Sequence, residues 1–378
     1  MKASAWAGIL SGGIGVLLPA SFPAPASAAG LFQHGFSVTL NSDYDTNPTL
    51  SASAKQAIWR FSASPGYSLS RSSGPDSLNA KLGLSVQRSS DENVSAGRQD
   101  PTLSVGWNRQ SPTGSFGVSA SYAEASTRVT EFQDTGLVAV DGSKATQSLS
   151  ANWSRSLDER RALSLNAGYT GISYSSGGLT GYNTLSTGAT LSDTWNERVA
   201  PYLRLSASHY APDVGGADSD SYDLMAGVSL TRSERLSLDL SAGINQTLAQ
   251  TERNGWQGSL KLNYATDERS SFAFDIGRSV SSSGLGGFVE SDQMNARWNT
   301  ALSDRQSIGA DLSWRKSQSA GTGDTRQFSL WGSRSLDAFW SLRVQYLYKQ
   351  SEANSLAEAT GSVLSLSLSY AHPDFLDL

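Results

Sequence analysis

The chain has 378 residues, 36 of them glycine and none cysteine, with 38% hydrophobic and 17% charged residues and a formal net charge of −5. The absence of cysteine excludes a disulfide scaffold, a lipoprotein anchor and thiolate metal sites, and no basic patch or phosphate loop points to nucleic acid or nucleotides. A mean hydropathy of −0.32 is awkward for a globular enzyme of this length, which needs a large core and longer apolar runs.

Met1 to Ala29 stands apart. Lys2 gives a positive start, Ala5 to Ala20 is apolar, and Ala26-Ser27-Ala28 is a small-residue cleavage site. This reads as a secretory signal peptide over residues 1–28, with the folded unit at 29–378. Cleavage removes Lys2, so the charge becomes 28 − 34 = −6.

The body of the chain alternates. A first strand over Gly35–Tyr44 runs into a loop, Asn41-Ser42-Asp43-Tyr44-Asp45-Thr46-Asn47-Pro48-Thr49-Leu50, where Pro48 cannot sit in a ladder. A second strand, about Gln56–Ser70, puts Trp59, Phe61, Ala63, Tyr67 and Leu69 on one face. The break Ser72 to Asp76 turns it into a third, where Leu78, Ala80, Leu82, Leu84 and Val86 alternate with polar residues. Strands four and five follow around Leu103–Trp107 and Phe116–Tyr122, then a long loop near Thr127–Ser143 whose Leu137-Val138-Ala139-Val140 could fold inward.

The pattern is clearest from Leu149 to Tyr169. Leu149, Ala151 and Trp153 alternate with serine and asparagine, Leu157 to Arg161 is a polar break, and Leu163, Leu165, Ala167 and Tyr169 resume the apolar face. Side chains on a strand alternate between its two faces, so this is an antiparallel hairpin with one apolar and one polar side. Similar breaks recur at Thr231–Arg235, Thr266–Arg269 and Ser303–Gln306. Further strands are expected near 182–191, 199–210, 222–230, 236–248, 256–264, 272–280, 294–302, 308–314, 327–335, 340–348 and 363–370, separated alternately by short breaks and by loops such as Ala211–Ser221, Ser281–Glu290 and Ser317–Asp324.

About eighteen strands with one apolar face predict an all-β fold, a transmembrane antiparallel up-and-down β-barrel of the outer-membrane type. Its apolar residues would form a lipid-facing skin, and aromatics near both strand ends would form interfacial girdles: Trp107, Trp153, Trp195, Tyr264 and Trp340 by the short turns, Tyr44, Trp59, Tyr122, Tyr210, Tyr222, Trp256 and Tyr348 by the long loops. With a signal peptide, this implies the outer membrane of a Gram-negative bacterium. The expected partners are outer-membrane lipids and the barrel assembly machinery, with no nucleic acid.

Parity then sorts the charges. A lipid-facing Arg or Lys near the membrane midplane costs about 2–4 kcal/mol, so sidedness is strongly enforced. Counting from the apolar positions, Arg60, Lys81, Arg204, Asp239, Lys261, Asp275, Arg297, Asp311, Arg315 and Arg343 face the lumen, as do Asp223, Gln345 and Lys349. Asp239, Lys261, Asp275, Arg297 and Asp311 come from five consecutive strands with alternating sign; a two-residue turn at Asp267-Glu268 would set Lys261 beside Asp275, and a three-residue turn near Asp304 would set Arg297 opposite Asp311. Such charges either select solutes in a pore or neutralise one another across the wall.

No catalytic, metal or cofactor site is expected. His209 has Ser208 beside it and Asp213 close by, but neighbours on one strand are not a positioned triad. Asp43, Asp45 and Asn47 copy half a calcium loop, whose turn glycine and closing glutamate are replaced by Pro48 and Ala54.

Tyr44-Asp45-Thr46-Asn47-Pro48, directly after an alternating strand, resembles the opening of the beta-barrel porin 2 family, and the likeness extends loosely over the mature chain. That resemblance implies an outer-membrane barrel, and for some members an association with exopolysaccharide export and its periplasmic proteins. Barrels of this kind usually end on an aromatic residue. Here Tyr370 closes the last strand and a tail carrying Phe375 follows, so either residue could serve assembly. The expected function is a conduit for small polar solutes or for an exported polysaccharide, the alternative a structural or adhesive surface protein with a closed lumen.

Overall fold

Backbone N–H and C=O groups in lipid need partners, and a sheet avoids unpaired edges only by closing on itself. The computed structural model, which describes residues 32–53, 55–134, 141–175, 178–318, 322–353 and 358–374, meets this demand with eighteen strands. These are β1 (Phe32–Asp45), β2 (Ile58–Ser73), β3 (Asp76–Ser89), β4 (Arg98–Ser111), β5 (Gly114–Ser126), β6 (Ser143–Ser156), β7 (Arg161–Tyr174), β8 (Tyr182–Asp193) and β9 (Val199–Pro212). The second half adds β10 (Ser219–Ser233), β11 (Leu236–Leu248), β12 (Arg253–Ala265), β13 (Ser270–Ser282), β14 (Phe288–Ser303), β15 (Gln306–Gln318), β16 (Thr322–Ser335), β17 (Trp340–Ala353) and β18 (Ala359–His372). Each strand pairs antiparallel with its sequence neighbours, and β1 also pairs with β18, from Phe36 opposite His372 to Asp45 opposite Val363. The barrel is therefore closed. No helix among the described residues is long and apolar enough to cross a membrane. The signal-peptide reading and Phe375 lie outside the described residues.

The outer face is apolar as the alternation requires. Leu82, Leu103, Leu149, Leu185, Leu205, Ile244, Leu330 and Leu366 are all exposed there. In water such a surface would be a severe liability, whereas in lipid it is the solvated face. Aromatic girdles mark its two edges. Tyr44 packs on Trp59 at the long-loop end, with ring centroids 5.0 Å apart, and Trp340 packs on Tyr370 at the short-turn end, at 5.1 Å. Tyr210 departs from the expected girdle. It is fully buried, points into the barrel and packs on Tyr182, so it belongs to no girdle.

The short turns are held by side-chain caps. Asp158 accepts the N–H groups of Arg160 and Arg161, and with the Arg161 guanidinium these bonds hold its carboxyl down at about 2. Asp267 and Asp337 cap their turns the same way.

At the opposite end the strands run further than the apolar pattern. β13, β14 and β16 reach Ser282, Phe288 and Thr322, so the expected loop Ser281–Glu290 shrinks to 283–287, and the ends of the expected loop Ser317–Asp324 lie within β15 and β16. The strict alternation of short turns and long loops therefore holds through β10 and fades after it. Above the lipid band both faces are polar, so hydropathy no longer marks the strand, while the ladder of backbone hydrogen bonds continues.

Candidate functional site in the barrel lumen

The polar face lines the lumen, and its makeup changes around the wall. On β5 and β6 it is a row of small hydroxyls, with Ser115 bonded to Ser154 at 2.8 Å and Ser119 to Ser150 at 2.7 Å. On β9 to β17 it is charged.

The ladder pairs Lys261 with Asp275 and Arg297 with Asp311 as expected, but through other turns than expected: 266–269 is a four-residue connection, and the two-residue turn 304–305 is accompanied by a bulge between Ala301 and Ser303. Asp239 stands opposite Lys261, Lys261 opposite Asp275, and Arg297 opposite Asp311. Only the last pair closes, with Arg297 Nε 2.7 Å from Asp311 Oδ1. The other carboxylates take neutral donors. Asp239 accepts from Tyr202 Oη at 2.9 Å and Ser229 Oγ at 2.6 Å, and Asp275 accepts from Asn295 Nδ2 at 2.8 Å. Asp223 accepts from Ser206, Asn245 and Gln257. Asp311 also accepts from Ser329 and from Trp331 Nε1. Lys261 makes no ion pair among the described residues, nor does Lys81.

Arg204 and Arg343 are arranged alike. The Arg204 guanidinium lies over the Tyr202 ring at 5.6 Å, and that of Arg343 over Trp331 at 4.2 Å. Each ring lies flat on the wall across a glycine. A Cβ on Gly227 would fall 2.3 Å from Tyr202 Cζ, and one on Gly309 would fall 2.4 Å from Trp331 Cζ2. Each ring then donates its polar tip to an aspartate, Asp239 or Asp311. Filling Gly309 should disturb the whole set. Gly309→Ala is expected to cost about 1–3 kcal/mol through overpacking, read as a lowered denaturant midpoint.

The remaining lumenal cations sit near the long-loop end. Arg60 and Lys349 both reach Asp45, at 3.1 and 2.9 Å, and Asp45 is fully buried. Its other oxygen accepts from Asn47 N, while Asn47 itself caps Ser51 and the Thr360 carbonyl. The Asp45 and Asn47 oxygens of the half calcium loop are thus taken by protein donors.

A helix that alternation could not reveal crosses this end. α1 (Thr127–Asp134) leaves β5 and folds inward. Its Glu131, 1% exposed, accepts from Lys144 Nζ at 3.3 Å and Tyr174 Oη at 3.0 Å, and Asp134 accepts from Lys144 at 2.6 Å. Arg315 Nη1 donates to the Asp134 carbonyl at 2.6 Å and Nη2 to Gln293 at 3.0 Å. Lys144 is on β6 and Arg315 on β15, and 15 − 6 = 9 is half the circumference of eighteen strands. α1 therefore bridges opposite walls. The expected inward segment 137–140 lies outside the described residues. The loop 283–287 also folds in, with Tyr182 Oη and Tyr210 Oη donating to the Ser282 and Ser283 carbonyls.

Parity sets all ten proposed residues on the face opposite the exposed apolar residues of their strands. It missed Glu131, Tyr174, Tyr202 and Trp331. The last three carry the inward parity and were passed over because they bear no charge. Nothing in the local pattern marks Glu131. Ser208 and His209 point to opposite faces of β9, and His209 bonds to Asp220 at 2.8 Å on the outer side, so no hydrolytic arrangement forms there.

Among solved structures, the chain resembles Pseudomonas aeruginosa OccK2 (OpdF), at 12% identity, covering 91% of this chain and 99% of that one with a TM-score of 0.53. It also resembles the outer membrane protein opdK from Pseudomonas aeruginosa, at 10% identity, 90% and 98% coverage and a TM-score of 0.52. A third is Pseudomonas aeruginosa OpdQ, at 9% identity, 90% and 99% coverage and a TM-score of 0.50. Identities this low establish the shared barrel fold. No protein-family model and no curated protein matches the chain in sequence, so the beta-barrel porin 2 resemblance rests on residues 44–48.

Proposed function

We infer that the chain is a passive conduit for small polar solutes across a Gram-negative outer membrane, with its short turns in the periplasm and its long loops outside. The observation that carries this is the exposure of charges inside the wall. The Arg297 side chain points inward and is still 65% exposed, which a lumen packed shut at that depth would not allow. Barrels of this strand number leave an aqueous channel unless plugged.

The position of α1 favours small solutes over a polymer. A polysaccharide strand passing through, fed by periplasmic export proteins, would have to displace α1 from both Lys144 and Arg315. The inward fold of α1 and of loop 283–287 equally gives the closed-lumen structural reading its footing, so the two are separated by measurement. Purified protein in a planar bilayer is expected to give stable ohmic steps; silence at high protein concentration refutes the conduit. Orientation has its own test. Val214→Cys, in the β9–β10 loop and 78% exposed in the native residue, should react with an impermeant maleimide on intact cells, and Glu159→Cys in a short turn should not. The reverse labelling inverts the topology.

A further inference from the structure

We propose that the lumen carries a collar of four unpaired cations, Lys81, Arg204, Lys261 and Arg343, that selects oxyanions, carboxylates or phosphates, among the solutes it passes. This deepens the conduit reading and rests on it.

The four residues lie at similar depth. Lys81 is five residues in from the start of β3 at Asp76, Arg204 five from Val199, Lys261 four from Ala265 and Arg343 three from Trp340. Each count runs from the short-turn end. In barrel order they stand on β3, β9, β12 and β17, so they are spread around the circumference instead of sharing one side.

At this level acids and bases are treated differently by the wall. The carboxylates of Asp239, Asp275 and Asp311 are all tied to wall donors. Among the described residues, none of the four collar cations has an ion pair or a hydrogen-bond acceptor; Arg204 and Arg343 lie on ring faces, and Arg343 is also within electrostatic reach of Asp311. A guanidinium stacked on an aromatic ring keeps its in-plane N–H groups free, and that edge fits a carboxylate or phosphate in a bidentate manner. Tyr202 and Trp331 are themselves fixed by Gly227, Gly309 and their aspartates, so both guanidiniums are held in place before any solute arrives. The charge balance agrees. With Arg297 included, the belt holds five cations against three carboxylates, 5 − 3 = +2. Rings of Arg and Lys in a pore favour anions.

The test is the reversal potential across a planar bilayer under a potassium chloride gradient. The wild type is expected to reverse on the chloride side. The variant Lys81→Gln, Arg204→Gln, Lys261→Gln, Arg343→Gln should still form stable open channels but reverse at zero or on the potassium side. Should that variant fail to fold, Lys81→Gln, Lys261→Gln removes two cations that pack on no ring and should move the potential halfway. Potassium acetate and potassium phosphate in place of chloride distinguish the two oxyanion sources by which anion permeates better. A conducting wild type that prefers potassium, or a potential unmoved by both variants, overturns the collar and leaves the conduit standing. A wild type that never conducts overturns both.

Discussion

Lys144→Ala should release α1 from the lumen and raise single-channel conductance. Lys144 is buried and is the cation that Glu131 and Asp134 share, at 3.3 and 2.6 Å. Without it, a carboxylate that is 1% exposed keeps only weaker donors such as Tyr174. Removing one partner of a buried ion pair costs about 3–5 kcal/mol, because the other charge stays desolvated. The barrel has an alternative that a compact core lacks. α1 can swing out and hydrate Glu131, so the cost falls on the seating of the helix and the strands survive. The expected result is a larger and noisier conductance, faster proteolytic cleavage within 127–142, and an unchanged heat-modified mobility of the barrel on gels. Lys144→Ala combined with Glu131→Gln should restore much of the seating, since no charge is then stranded. An unchanged conductance in the single variant would mean that α1 does not limit flow.

Asp45→Ala should weaken the closure of the barrel itself. Asp45 stands on β1, the strand that joins β2 to β18, and it gathers Arg60 from β2 and Lys349 from β17. Its loss leaves two cations facing each other without their shared carboxylate. Both side chains reach some lumenal water, at 20% and 13% exposure, so the cost belongs at the lower end of the buried-pair range, about 3 kcal/mol. A lowered temperature for loss of the folded gel band would register it. Replacing all three residues, Asp45→Leu with Arg60→Leu and Lys349→Met, should be close to neutral, because no charge then remains to be buried. If the single variant is as stable as the wild type, the seam is held by its backbone ladder alone.

The sequence by itself determined the wall. Leu149, Ala151 and Trp153 alternating with serine and asparagine, then a capped break at Asp158, is a hairpin in any context. Repetition of that unit accounts for the strand number and the closure. The reason is that lipid tests every outward position separately: one wrong residue is costly on its own, so the constraint is written locally, with period two. The pairing of Lys261 with Asp275 and of Arg297 with Asp311 agrees with the expectation, but the turns do not: a four-residue connection and a bulge at Ala301/Ser303 stand where two- and three-residue turns were expected, because several turn lengths fit one alternation.

Only the tertiary structure decided what happens inside. That Glu131 meets Lys144, that Arg315 holds α1 from the opposite wall, and that Tyr210 closes on the Ser283 carbonyl are contacts across a water-accessible space. No membrane screens those positions, and their partners lie up to 181 residues apart, so no period marks them. The same holds for the strand ends beyond the lipid band. There Ser282 and Thr322 stay in the ladder through backbone bonds, which every residue but proline can make, and which therefore leave no trace in the order of side chains.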